Sequence, residues 1–186
     1  CIFINSYTVL EPAPIDIAAS ITDILCKGDS TGEISVLVSG GNGGYTYQWF
    51  NGIGTPIGTN DTLSNVTAGN YTLIVTDIFG CTETGLYTIN EPATALNISV
   101  NSIDVACAGD STGSVSVTIN GGTVNDPSDY TIQWTNSAGT NLGNTQIITN
   151  LPAGSYFVSV ADLNNCTVSD TAIVNSPGPI VIDFDV

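Results

Sequence analysis

The chain has 186 residues, with 17 Asp and Glu, a single cation (Lys27), no Arg and no His, and a formal net charge of −16. That balance argues against nucleic acid and anionic membrane as partners, because phosphate binding needs Lys or Arg to displace counterions. Apolar residues make up 42% of the chain and charged residues 10%. A packed core is therefore within reach and disorder is disfavoured, and no run approaches the length of a membrane span.

Residues 1–12 end in Tyr7 to Pro12 (YTVLEP), which parallels Tyr87 to Pro92 (YTINEP). They read as the last strand of an upstream repeat. The first complete repeat covers 13–92, the second 93–177, and 178–186 reads as the first strand of a downstream repeat. The chain is thus expected to be cut from a longer array. Cys26-Lys27-Gly28-Asp29-Ser30-Thr31-Gly32 returns as Cys107-Ala108-Gly109-Asp110-Ser111-Thr112-Gly113. An alternating run follows each motif: Ile34, Val36, Val38, then Val115, Val117, Ile119. Each run ends in Gly-Gly, at Gly40-Gly41 and Gly121-Gly122. Further on, Tyr47-Gln48-Trp49 matches Ile132-Gln133-Trp134, Ala68-Gly69-Asn70-Tyr71 matches Ala153-Gly154-Ser155-Tyr156, and Cys81-Thr82 matches Cys166-Thr167. The second repeat is longer in one loop, Thr123 to Asp129. Proline-containing breaks at Pro12-Ala13-Pro14, Pro92-Ala93 and Pro177-Gly178-Pro179 favour an extended rod.

Within the first repeat, strands are expected at about 14–19, 21–25, 33–39, 45–50, 61–66, 70–77 and 82–90, each bounded by Gly, Asn, Asp or Pro. No window has a helical period. Seven short antiparallel strands in a repeat of this size predict an all-β chain of tandem immunoglobulin/fibronectin-III-like β-sandwiches. Trp49 and Trp134 fall on the strand where such sandwiches bury a large aromatic. Tyr71 and Tyr156 are core residues at a position resembling the tyrosine corner.

The order C-x-G-x-S-T-G, alternating apolars, Gly-Gly, a Gln-Trp strand, A-G-x-Y, D-x-x-x-C-T and E-P resembles the SprB repeat family, named for a giant surface adhesin of gliding bacteria. The second repeat departs slightly, with Ser176-Pro177 in place of Glu-Pro. The resemblance implies a large exported protein of a bacterium with type IX secretion, serving attachment or gliding at the cell surface, and it brings no catalytic residues. It also implies candidate O-glycosylation at Ser30, Thr62, Ser111 and Thr171, each following an Asp. Turn chemistry explains the same residues.

Catalysis is not expected. The usual general base, His, is missing, Lys27 is the only amine side chain, and the second repeat replaces it with Ala108. Zinc needs clustered Cys and His, which the spacing does not provide. No cofactor is expected, except that Ca²⁺ has weak candidates in Asp23, Asp29, Asp104 and Asp110, which recur at equivalent places. Solvated turns are the preferred account of them.

The five cysteines of an exported array read as disulfides. Two schemes are open. Pairing within repeats joins Cys26 to Cys81 and Cys107 to Cys166, each closing a loop contributing about 4 kcal/mol in the chain-entropy model. The sandwich topology objects, because it places the first loop and the last hairpin at opposite ends, beyond disulfide reach. Pairing between repeats joins Cys26 to Cys166. In both schemes Cys1 pairs with an upstream partner.

The leading functional reading is a structural, force-bearing stalk segment of an extracellular fibre or adhesin. Its partners are neighbouring repeats, other copies in a filament, and a surface or polysaccharide bound through regions outside the fragment. One alternative is a carbohydrate- or surface-binding module using the loop Thr123 to Asp129 with Tyr130 and Tyr45. Another is a spacer in a large secreted enzyme.

Overall fold

A computed structural model describes residues 11–181. Most of the stub expected at 1–12, including Cys1, and the end of the one at 178–186 lie outside these residues; 178–181 form no strand. The chain divides into two compact units. The first ends at Glu91 but omits Leu25–Lys27, which belong with the second.

The first unit holds β1 (Asp16–Thr22), β2 (Gly32–Ser39), β3 (Thr46–Asn51), β4 (Pro56–Gly58), β5 (Thr62–Val66), β6 (Gly69–Thr76) and β7 (Thr82–Ile89). They form a three-stranded sheet, β1-β2-β5, and a four-stranded sheet, β4-β3-β6-β7. The second unit repeats the plan with β8 (Asn97–Ile103), β9 (Gly113–Asn120), β10 (Thr131–Asn136), β11 (Asn141–Gly143), β12 (Ile147–Leu151), β13 (Gly154–Ala161) and β14 (Thr167–Val174). Its sheets are β12-β9-β8 and β11-β10-β13-β14. All pairings are antiparallel, and each unit is an immunoglobulin/fibronectin-III-like β-sandwich.

Two strand expectations change. The segments 14–19 and 21–25 are one strand, because β1 pairs with β2 without a break from Asp16 opposite Ser39 to Thr22 opposite Glu33. The short β4 was not expected. Its three residues lie among Gly and Pro and pair with β3 across a bulge at Trp49/Phe50, so no alternating run marks them.

Period-two alternation builds both cores. Ile34 and Val36 of β2 and Tyr71, Leu73 and Val75 of β6 point inward around Trp49. Val115 and Val117 of β9 and Tyr156, Val158 and Val160 of β13 do so around Trp134. Both tryptophans are 0% exposed. Each indole still finds an acceptor: Trp49 Nε1 donates to Asn60 O (2.8 Å) and Trp134 Nε1 to Thr145 O (3.1 Å). Tyr71 and Tyr156 bury their rings and donate their hydroxyls to Thr67 O (2.7 Å) and Pro152 O (2.6 Å), four residues upstream, the geometry of a tyrosine corner. On β5 and β12, Asn65 and Asn150 adopt positive φ (57° and 60°) where the register slips, a conformation that Asn tolerates better than most residues.

The Gly-Gly pairs serve chain entry. Gly40 and Gly121 sit at φ 75° and 72°. A Cβ there would lie 2.0 Å from Pro14 O and 2.1 Å from Ala95 O. Only glycine lets the end of β2 or β9 pass so close to the segment entering its own unit.

Candidate functional site: a cystine joint on an aspartate-held hairpin

The β13–β14 hairpin is organised by one buried carboxylate. Asp162 Oδ1 accepts from the backbone N–H of Asn164 (2.9 Å) and Cys166 (3.0 Å), and Oδ2 accepts from Thr123 N (2.8 Å). Asn165 completes the turn at φ 60°. This is Asp acting as a local turn mimic, and it fixes the backbone that presents Cys166. Cys166 is bonded to Cys26, with the Cα atoms 5.6 Å apart, inside the span a disulfide bridges without backbone movement. The adjacent Asn164 side chain donates to Leu25 O (3.0 Å) and to Thr123 Oγ1 (3.1 Å). The Leu25–Lys27 segment is therefore held in the second unit by a covalent bond and a hydrogen bond.

The first unit builds the same hairpin. Asp77 Oδ1 accepts from Phe79 N and Cys81 N (both 2.9 Å), and Oδ2 accepts from Asn42 N (3.0 Å) and Asn42 Nδ2 (2.8 Å). The Asn42 side chain, followed by the backbone donors, holds this carboxyl down to about 2, against an opposing push from burial. A carboxylate depressed in the folded state stabilises the fold above its unfolded pKa and loses that contribution as pH falls through the folded value. The first unit is thus expected to lose thermal stability between about pH 4 and pH 2. Asp77→Asn should start from a lower Tm and lose much of that pH slope. Melts of both proteins in a Trp134→Phe background, where Trp49 is the sole indole, check this; parallel pH slopes would refute it.

The within-repeat pairing of Cys26 with Cys81 and of Cys107 with Cys166 is not formed. Cys81 lies where the chain enters its unit: Gly41 N donates to Ala13 O (2.7 Å) and Ile78 N to Gly43 O (3.0 Å). The residues flanking Cys26 lie where β7 ends, with Ile24 N donating to Asn90 O (2.9 Å) and Gly28 N to Glu91 Oε2 (2.8 Å). The length of the sandwich separates the two places. Cys81 and Cys107 are exposed thiols. Cys1 lies outside the described residues.

The family model described as the SprB repeat matches residues 18–54 and 99–139. The match falls once in each of the two units. Each matched span runs from the first strand past the tryptophan strand; it includes Cys26 or Cys107 and stops short of the hairpin cysteine. No curated protein matches the chain. Among solved structures it is similar to extracellular domains 3–5 of Drosophila OTK (17% identity, 88% of this chain and 62% of that one, TM-score 0.44). It is also similar to the insect immune protein hemolin (15%, 94% and 49%, TM-score 0.43) and to the BSP domain of a biofilm associated protein (20%, 86% and 30%, TM-score 0.31). The chain spans less than two thirds of each, and none of them lends it a function.

Of the remaining sequence candidates, Asp23, Asp104, Thr62, Tyr45 and Tyr130 have structural partners. Asp23 Oδ1 accepts from Asn90 N (2.8 Å) and Asp104 Oδ1 from Asn175 N (2.8 Å), each with the asparagine side chain as a further donor. These carboxylates tie the end of the first strand to the end of the last. Asp29 and Asp110 are exposed beyond the cysteine loops. Among the described residues, no three of Asp, Glu, His or Cys gather as a metal site would require. Of the candidate glycan acceptors, Ser30, Ser111 and Thr171 are exposed, whereas Thr62 is half-buried with its Oγ1 3.2 Å from Ser35 Oγ. The loop Thr123 to Asp129 closes on itself through a capped turn at Pro127–Asp129. Tyr130 and Tyr45 donate their hydroxyls to Gly121 O and Gly40 O, so both rings are tied back to their own unit.

The residues that sequence reading undervalued are Asp77 and Asp162. Their signal is the D-x-x-x-C spacing in both repeats, which places the carboxylate four residues before the sulfur it positions.

Proposed function

We propose that this chain is a load-bearing segment of a long extracellular adhesin, whose SprB repeats are coupled covalently in series to carry tension between the cell and a distant contact. The observation that carries the reading is the Cys26–Cys166 bond, which joins the sequence of one repeat to that of the next. Support comes from the redox requirement of such a bond, which persists outside the reducing cytosol. The acidic surface adds to it, since it keeps crowded chains apart. No helix among the described residues is long and apolar enough to cross a membrane. Attachment or gliding as the task, type IX secretion as the export route, and glycans on Ser30, Ser111 and Thr171 are the finer parts of this reading. Partners are adjacent repeats, other copies in a filament, and a surface or polysaccharide engaged outside residues 1–186.

Immunogold electron microscopy of intact producer cells, with an antibody to this segment, tests it. Label strung along filaments away from the envelope is expected. Label shed into the medium together with a secreted enzyme would replace the stalk with a spacer role.

A further inference from the structure

We propose that Cys81 and Cys107 are two open halves of the same joint, each completed by a further SprB repeat. Cys81 takes the first-loop cysteine of a preceding repeat, and Cys107 takes the hairpin cysteine of a following one. The inference rests on the array reading above and gives it a rule: the first-loop sulfur of each repeat bonds the last-hairpin sulfur of the next.

The first ground is that both half-sites are already shaped like their bonded counterparts. In the hairpins, Asp77 N donates to Cys81 O (2.9 Å) and Gly80 N to Asp77 O (3.0 Å), while Asp162 N donates to Cys166 O (3.1 Å) and Asn165 N to Asp162 O (3.0 Å). Gly80 at φ 85° stands where Asn165 stands at 60°. The carboxylates of Asp77 and Asp162 hold the two cysteine N–H groups at 2.9 and 3.0 Å. In the loops, Val105 N reaches Asn175 O (3.1 Å) as Ile24 N reaches Asn90 O (2.9 Å). Gly109 and Gly28 turn the chain at φ 87° and 90°. Cys81 therefore has the backbone setting of a sulfur that is bonded in this same molecule, and so does Cys107.

The second ground is independent of sulfur. On the hairpin of Cys81, Ile78 and Phe79 are 69% and 78% exposed, a large apolar area for a turn. At the position of Phe79 the bonded hairpin has Asn164, which contacts the incoming loop. Beside Cys81, a depression lined by Pro12, Pro14, Ile15 and Asn42 opens to the surface. Apolar side chains next to an exposed thiol, on a hairpin whose twin receives a loop, fit the loop of another SprB repeat as occupant.

Closing each joint removes one proton from each of two thiols and two electrons from the pair. A disulfide oxidant supplies the balance. One thiolate attacks it to form a mixed disulfide, the second thiolate displaces the oxidant, and the oxidant leaves as two thiols.

The test is sulfur mapping of the full-length protein from its native cells, alkylated with iodoacetamide before any reductant and cleaved before Asp. Four peptides separate Cys26, Cys81, Cys107 and Cys166: Asp23 to Gly28, Asp77 to Ile103, Asp104 to Gly109 and Asp162 to Ser169. The first and last should be recovered joined to each other. The peptide of Cys81 should be joined to a first-loop cysteine peptide from outside residues 1–186, and that of Cys107 to a hairpin cysteine peptide from outside. Recovery of Cys81 or Cys107 in alkylated form, joined to each other, or joined to the opposite class of peptide overturns the rule. The map reads sulfur connectivity alone, so its failure is separate from a failure to find label on filaments.

Discussion

Pulled from its two ends with the Cys26–Cys166 bond intact, the chain is expected to extend only through the residues before Cys26 and after Cys166. Force entering at the N-terminus reaches Cys26, crosses the sulfur bridge and leaves through β14, because a covalent bond is the stiffest route available. The 140-residue separation behind the bridge contains β2 to β13 and is shielded. Cys26→Ser opens that segment. At full extension it should add about 460–500 Å of contour length, from a reach of 3.3–3.6 Å per residue. The same variant loses the restriction that the bridge imposes on the unfolded chain, which for a loop of this size is worth about 3–5 kcal/mol. Single-molecule extension of the oxidised protein, of Cys26→Ser, and of the oxidised protein after dithiothreitol measures the effect directly. Equal contour lengths in oxidised and variant protein would remove the bridge from the force path.

The second large effect is expected at Trp134. Its side chain is 0% exposed at the centre of the second core, and Trp134→Ala should cost about 3–5 kcal/mol from lost burial and the cavity left behind. A sandwich of this size holds only some 5–15 kcal/mol, so the variant should lose a large share of the second unit's stability. Trp134→Phe keeps much of the volume but strips Thr145 O of its donor, costing about 1–3 kcal/mol. Hydrogen exchange at Val158 and Val160, which pair with β10 and β14, reports the second unit. Trp49 fluorescence reports the first. Protection retained in Trp134→Ala would mean that the indole is not the keystone of that core. The first unit should be disturbed less, since Trp49 packs within its own unit, 5.7 Å from the ring of Tyr87.

Much of this protein is legible in its sequence because the physics concerned is local and repeated. Alternation along Ile34-Ser35-Val36 and Tyr71-Thr72-Leu73 dictates which face of a strand is buried, since side chains alternate with period two. Gly40-Gly41 and Gly121-Gly122 mark a turn where a Cβ has no room. Trp49, Trp134, Tyr71 and Tyr156 declare a sandwich because such large groups need a centre, and their polar atoms need a nearby carbonyl. The misjudged strands are those where locality fails: β1 reads as two segments until its partner β2 is seen, and β4 is a strand only because β3 lies beside it.

The partner of Cys26 is the property that only the tertiary structure decided. By sequence distance Cys26 is nearer to Cys81 than to Cys166, and loop entropy alone would favour the nearer pair. Antiparallel pairing carries the first loop to the end of the sandwich where β7 stops, and leaves Cys81 where the chain enters. A sulfur bond tolerates only a few ångströms between Cα atoms, so position in space outweighs spacing along the chain. The residues that make the joint, Cys26 and Cys166 with Asp162 behind them, could be read from the repeat. Their connection stays open between two schemes in the sequence, because only the folded chain brings residues 140 positions apart to within 5.6 Å between Cα atoms.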